Sequence, residues 1–355
     1  MTWLWIAATL AIAYAGSKFL QKIKFPGGML VGAILAAAIL NLATEQAAVF
    51  PYAKVFAQAL TGAYIGCMIT PEDTKRMRSI IKPYLVVMAG LLALCMIMGT
   101  IFYALTDYDL ITCLFCAAPG GVSDIPLIAM DMGADGSVVA VMQFIRMVFG
   151  ISCLPTLILL ADRVIEPSKS KEMDERAKTI HVTMAKKKAF PFKQFIPAGI
   201  VAVVMAFAGK FSGIPAAALS FPLIAVTVMK LTGKCAGMPP KLRQVAQVVT
   251  GCCIGVTVTR EQILQLRQLM VPALVLCLGY LTCCVVMGTV VSKLFKMELR
   301  EGMLSLSPAG AAEMALIAGD LGIESPNLIV LQIGRLMGVV LVFPYVIATV
   351  AYLFG

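Results

Sequence analysis

Residues 119–133 read PGGVSDIPLIAMDMG, and residues 308–322 read PAGAAEMALIAGDLG. The two stretches lie 189 positions apart, Pro119 answering Pro308. Sliding the chain against itself by that amount gives an ungapped match from Pro26 to Pro155. Gln58, Thr61, Gly62, Ile65 and Gly66 meet Gln247, Thr250, Gly251, Ile254 and Gly255, while Gln143, Arg146 and Pro155 meet Gln332, Arg335 and Pro344. Apolar bias alone cannot put so many Pro, Gly, Gln, Asp and Arg residues in one register. The chain is an internal duplication, the signature to be sought before any other.

The solvent of the two halves follows from composition. The chain has 355 residues, 60% hydrophobic and 14% charged, against about a quarter charged for an ordinary soluble domain. Mean hydropathy is +0.91. A lipid bilayer accommodates that much apolar surface. The N-terminus begins Met1-Thr-Trp-Leu-Trp, without a basic region, so its first apolar run reads as a resident span and not a cleaved leader. The net charge of +10 sits mostly in loops, as the positive-inside rule expects, and does not indicate nucleic acid. Eleven cysteines lie largely in apolar runs, where a free thiol behaves as a small hydrophobe. Cys113 and Cys116 form a single CxxC on an apolar segment, without the second pair a metal site needs. The one histidine, His181, lies in a polar linker. No metal, cofactor or catalytic group is expected.

Apolar runs fall near 3–20, 27–42, 55–70, 82–105, 110–133 and 137–160, and again near 195–210, 214–231, 244–259, 271–293, 301–322 and 326–354. Between them lies a polar stretch, 161–194, with seven lysines. This divides the chain into a first membrane repeat (1–160), a cytoplasmic linker (161–194) and a second repeat (195–355). Loop charges set orientation. In the first half the basic loops follow run one (Lys18, Lys22, Lys24) and run three (Lys75, Arg76, Arg78, Lys82). In the second half they follow run two (Lys230, Lys234, Lys241, Arg243) and run four (Lys293, Lys296, Arg300). Equivalent loops therefore face opposite sides, which demands an odd number of crossings per half. One of the six runs is not a simple span. The best candidate is 110–133, interrupted at Pro119-Gly120-Gly121: either a re-entrant hairpin, or a broken span with a short run such as 55–70 failing to cross. The expected fold is an all-α polytopic membrane protein of two inverted-topology repeats, with about five net crossings each and a broken or re-entrant helix in each half. The N-terminus is expected outside.

Matched interruptions of this kind point to a transporter binding site. They free backbone N–H and C=O groups that membrane tolerates only against protein or a wet cavity. Gly120 and Gly121 make the first break; Ala309 and Gly310 make the second. Ser123 and Asp124 follow the first, and Glu313 occupies the place of Asp124 after the second. Asp124 and Glu313 are candidate cation or proton sites, with a cap on the following half-helix as the plainer role. Asp131 and Asp320, identical across the halves, suit an interfacial cap or a fold-holding role. Arg146 and Arg335 stand deep in apolar runs, three residues after Gln143 and Gln332. A guanidinium there needs an anionic partner: Asp124 or Glu313 in a structural pair, or a carboxylate substrate. The small residues from Gln58 to Gly66 and from Gln247 to Gly255 suit close helix packing, and their glutamines are open to a role in the site.

The duplicated PGG-x-x-[DE], LIA-x-D-x-G and Q-x-x-R pattern, with QxxTG upstream, resembles the AbrB-type bacterial membrane protein family over nearly the whole chain outside 161–194. Members are commonly labelled ammonia monooxygenases or regulators of gene expression. One linker histidine cannot build a copper or iron oxidation site, and no soluble DNA-binding module is present. The family is similar in fold to the cation–proton antiporter and anion transporter group, which implies transport by analogy. The second half departs from the pattern with Pro308-Ala309-Gly310. The expected function is secondary transport of a small organic anion, a carboxylate among the candidates, coupled to H⁺ or Na⁺ in the bacterial inner membrane. The alternative is a membrane protein that regulates gene expression and transports nothing. An enzyme is not expected. The expected partners are the lipid bilayer, the anion with its coupling ion, and a second copy of the chain in a homodimer; nucleic acid is not among them.

Overall fold

A computed structural model describes residues 2–23, 28–165, 192–214, 216–235, 237–260, 269–307 and 325–354. Among these residues every regular element is helical. In chain order they are α1 (Thr2–Lys22), α2 (Gly28–Thr44), α3 (Ala53–Met68), α4 (Pro71–Leu105), α5 (Leu110–Ala117), α6 (Ile125–Asp131), α7 (Gly136–Ile165), α8 (Phe192–Phe211), α9 (Ala217–Leu231), α10 (Pro240–Gly255), α11 (Met270–Phe295), α12 (Leu299–Ser305) and α13 (Pro326–Phe354). Five of them, α1, α4, α7, α11 and α13, are long and apolar enough to cross a membrane; α2, α8 and α9 are apolar but shorter. Their outer faces carry large apolar side chains such as Trp3, Phe19, Leu274, Leu278 and Ile200, a surface suited to lipid and not to water.

The helices recur at the spacing seen in the sequence. Adding 189 to α2 and α3 gives 217–233 and 242–257, where α9 and α10 lie; adding it to α5 gives 299–306, where α12 lies. Helix packing recurs with them. A Cβ on Gly62 of α3 would stand 2.6 Å from the Leu219 carbonyl oxygen of α9, and one on Gly66 would stand 2.7 Å from that of Leu223. Likewise, a Cβ on Gly251 of α10 would stand 2.9 Å from the Leu30 carbonyl oxygen of α2, and one on Gly255 would stand 2.6 Å from that of Ile34. Leu30 and Ile34 are the repeat equivalents of Leu219 and Leu223. Each glycine-faced helix thus packs on a helix of the other half, backbone against backbone, where no side chain fits. In the same way Gly99 of α4 seats Leu114 of α5, and Gly288 of α11 seats Met303 of α12.

Two segments extend beyond the expected runs. The sequence suggested a span from residue 82, but α4 begins eleven residues earlier. Its start is fixed by Thr70, whose Oγ1 accepts from the Asp73 N–H at 3.2 Å while the Asp73 carboxylate accepts from the Thr70 N–H at 2.9 Å. This capping box, with Pro71 at the first position, is read from Thr-Pro-Glu-Asp and not from hydropathy. The helix also covers both ends of the linker: α7 runs on to Ile165 and α8 starts at Phe192. Residues 166–191 lie outside the described residues.

The interrupted segment 110–131 doubles back. Asp109 caps α5, accepting from the Thr112 N–H at 3.0 Å and from its hydroxyl at 2.7 Å. Thr112 Oγ1 in turn accepts from the backbone N–H of Asp135, beyond the end of α6, at 3.0 Å. The start of α5 and the end of α6 therefore meet, and residues 118–124 form the tip between them.

Candidate functional site

The tip of the hairpin is held by donors from two other helices. Arg146 of α7 is 1% exposed. Its Nη1 donates to the Ala118 carbonyl at 2.5 Å and its Nη2 to the Gly120 carbonyl at 2.9 Å. Gln143, one turn earlier, donates through Nε2 to the carbonyls of Phe115 at 3.0 Å and Ala118 at 2.9 Å, and accepts from Arg146 through Oε1. Tyr280 of α11 places its hydroxyl 2.7 Å from the Ala117 carbonyl, accepts from Arg146 at 3.3 Å, and lies with its ring under the guanidinium, 5.0 Å from Cζ. These carbonyls are the acceptors orphaned when α5 stops in an apolar core. A planar group with five N–H donors suits them.

The sequence suggested an ion pair with Asp124 or Glu313, or a carboxylate ligand, for Arg146. Its partners in the structure are backbone carbonyls, the Gln143 amide oxygen and the Tyr280 hydroxyl; among the described residues no carboxylate forms an ion pair with it, and Glu313 lies outside them. The second half repeats the arrangement. Arg335 Nη1 donates to the carbonyls of Ser305 at 3.1 Å and Ser307 at 2.5 Å, and Gln332 Nε2 lies 3.4 Å from the Leu304 carbonyl. Leu304 and Ser307 are the equivalents of Phe115 and Ala118. The match ends at Tyr280, whose first-half equivalent is the buried Leu91.

Asp124 sits at the N-cap position of α6, but its side chain makes no capping bond. It is 5% exposed, accepts from the Ser123 hydroxyl at 2.9 Å, and lies close enough to Arg243 of α10 for their charges to attract. Gly121 leaves the space that the Asp124 carboxylate fills, and Gly120 the space filled by Ile125. Ala309, Gly310, Glu313 and Asp320 lie outside the described residues.

A cavity of about 1020 Å³ opens at one end of the bundle. Around it gather the start of α3, the ends of α4, α8, α10 and α13, the start of α9, and both ends of the hairpin. Of the residues singled out from the sequence as site candidates, Gln58 lines it; Gly120, Gly121, Ser123, Asp124, Gln143, Arg146, Gln247, Gln332 and Arg335 do not. Its charged floor is Lys54 of α3 and Asp131 at the end of α6, Nζ to Oδ1 2.5 Å. Gln58, one turn after Lys54 and fully buried, donates to the other oxygen of Asp131. Lys210, at the end of α8, rests over the Tyr52 ring at 4.4 Å.

Asp131, expected as an interfacial cap or a fold-holding residue, is the partner of a lysine. Lys54 was passed over in the sequence because the expected run begins at residue 55 and leaves it in the preceding loop. The signal was in the repeat: four residues before each matched glutamine stands a base, Lys54 before Gln58 and Arg243 before Gln247. Arg243 lies over the Tyr64 ring at 4.6 Å. Gln247 is half-buried in α10.

A duplicated helical bundle with five membrane-length helices, and with polar side chains spent on a broken helix inside it, is the build of a multi-pass membrane protein. A family profile described as "Transition state regulatory protein AbrB" matches residues 1–162 and 164–351. The chain belongs to that family. Two relatives match along nearly their full lengths. A Bacillus subtilis (strain 168) protein named "Uncharacterized protein YhjN" is 22% identical over 350 residues, covering 94% of this chain and 90% of the relative. An Escherichia coli (strain K12) protein named "Putative regulator AbrB" is 23% identical over 330 residues, covering 91% of this chain and 89% of the relative.

Proposed function

We propose that this chain is a secondary transporter of a small organic anion, a carboxylate by preference, coupled to H⁺ or Na⁺ across the bacterial inner membrane. The cavity carries the proposal. It is large enough for a small-molecule ligand, two lysines, Lys54 and Lys210, face it beside two aspartates, Asp109 and Asp131, and it lies between helices of both halves.

Inverted topology is supported by the same surroundings. The start of α3 and the end of its equivalent, α10, lie together at the cavity, so the two run in opposite directions. Asn41, near the end of α2, donates to the carbonyls of Val256 at 3.0 Å and Val258 at 3.2 Å, just past the end of α10; α2 therefore runs with α10. With the hairpin 110–131 entering and leaving on one side, each half makes five crossings: α1, α2, α3, α4 and α7, then α8, α9, α10, α11 and α13. On the loop charges, the N-terminus and the cavity face outward and the linker faces the cytoplasm. Two halves of opposite sense around a cavity lined by both are suited to alternating access. No bond-breaking chemistry is assigned.

The test is flux. Purified protein in proteoliposomes is given radiolabelled succinate, citrate or isethionate under inward H⁺ or Na⁺ gradients. Gradient-driven uptake of one of them above protein-free vesicles is expected. Absence of flux for all three under either gradient would overturn transport and leave the regulatory reading suggested by the relatives' names.

A further inference from the structure

Resting on the transport reading, we propose that Lys54, Asp131 and Gln58 form an exchange site in which an organic anion and a proton are taken up together: the anion displaces Asp131 from Lys54, and Asp131 takes up the proton.

The pair is placed for this. Lys54 is 31% and Asp131 22% exposed, and both line the cavity, so an anion can reach the ammonium without opening the core. The two sit on different elements, α3 and the end of the hairpin, so separating them breaks no helix. Opening the pair separates two partly buried opposite charges, which loses their attraction unless each charge is met by another group. An incoming carboxylate meets the ammonium. A proton added to one oxygen of Asp131 removes the other charge. Each event makes the other easier, and linkage requires the effect to be mutual. The balance is simple: one anion and one proton enter, one O–H bond forms on Asp131, and Lys54 keeps its protons.

Gln58 supplies the second observation. Its Nε2 donates to Asp131, while its Oε1 is buried and has no partner. An ionised carboxylate accepts from the amide; a protonated one needs an acceptor for its O–H. An amide carries both functions, so a half-turn of the Gln58 side-chain end lets it serve Asp131 in either state. Leucine would fill that place as well if packing were the only need.

The other titratable groups at the cavity are otherwise placed. Asp109 is committed to the cap of α5; Asp135, outside the cavity lining, caps α7, accepting from the N–H groups of Ser137 and Val138. Lys210 lies over Tyr52. Tyr103 of α4, Cys253 of α10 and Tyr352 of α13 are the remaining titratable groups that line the cavity. The second half carries the same triad in sequence, Arg243, Gln247 and Asp320, with a base that cannot lose its proton.

The experiment uses the full-length protein in proteoliposomes loaded with a pH-reporting dye, with succinate as probe. Wild type is expected to take up succinate with about one proton per anion and to be stimulated by an inward proton gradient. Asp131→Asn is expected to keep succinate entry while losing both lumen acidification and gradient stimulation. Lys54→Gln is expected to lose uptake, and Lys54→Arg to keep it; the latter also guards against a fold lost through the missing charge. Proton-stimulated uptake by Asp131→Asn at the wild-type level, or normal uptake by Lys54→Gln, would overturn the exchange site while leaving transport standing. Wild-type protein that moves no succinate overturns the exchange site as stated here, and transport itself falls only if citrate and isethionate are also refused.

Discussion

Arg146 reaches from the middle of α7 to the carbonyl of Ala118, 2.5 Å from its Nη1, and so closes the open end of a helix that stops inside the core. The buried positive charge and the helix break are a single feature: α5 can end there because the guanidinium collects its carbonyls.

Removing that group should cost stability more than activity in any one assay would show. In Arg146→Gln the Gly120 carbonyl loses its side-chain donor and the Ala118 carbonyl keeps only Gln143 and the Gly120 N–H, a loss of about 1–3 kcal/mol on the scale of an unsatisfied buried acceptor. Arg146→Lys keeps the charge and fewer bonds. The expected order of melting temperatures in detergent is wild type, then lysine, then glutamine. A glutamine variant that melts with wild type would remove the cap from this account.

Tyr280→Phe tests the contribution of the other half. The ring remains under Arg146, but the hydroxyl that meets Ala117 at 2.7 Å is lost. The expected loss is about 1–2 kcal/mol, as for one buried hydrogen bond, read as a smaller drop in melting temperature than Arg146→Gln gives.

Gly62 and Gly251 should be intolerant to the same degree. Leucine at either would drive a side chain into the facing backbone, the carbonyls of Leu219 and Leu30. Both variants are expected to lose the monodisperse peak in size-exclusion chromatography. Gly213 is the control: its φ is +69° and nothing stands near its missing Cβ, so alanine there should cost only about 1–2 kcal/mol of backbone strain and retain the peak.

Cys67 at the end of α3 and Cys235 after α9 have their sulfurs 3.6 Å apart. Mild oxidation with diamide should join them, each thiol giving up its proton and the two electrons passing to the oxidant. With a protease site placed in the linker, cleaved protein should run as one band without reductant and as two with it. Cys67→Ser should give two bands throughout.

Topology can be read with thiol reagents on a cysteine-free background. Cysteines placed at Lys75 and at Arg260, equivalent ends of equivalent helices by the repeat, are expected to label from opposite sides of the membrane. Labelling from the same side would reject the inverted arrangement.

The duplication, the break and the helical character were legible because each rests on local chemistry: proline and glycine where a helix stops, apolar runs where lipid is the solvent. The glycine helices were legible for the same reason. Partners were not. That Arg146 bonds to carbonyls and not to Asp124 depends on where α5 ends against α7, a relation between elements that no spacing encodes. Lys54 was hidden because hydropathy assigns it to a loop, whereas α3 begins at Ala53 and carries it into the cavity floor beside Asp131. The early start of α4 was hidden by its charges, although its capping box stood in the sequence.

Tyr280 has a consequence for how such a chain can be assembled. It lends the first break a hydroxyl, and the mirrored place, Leu91, has none to lend. Two copies of the first half, brought together as a pair, would set leucine where the Ala117 carbonyl needs a donor. Two copies of the second half would offer the tyrosine to a break that begins Pro-Ala-Gly. The halves have become complementary parts rather than interchangeable ones, and the covalent joint between them fixes that division of labour at one of each.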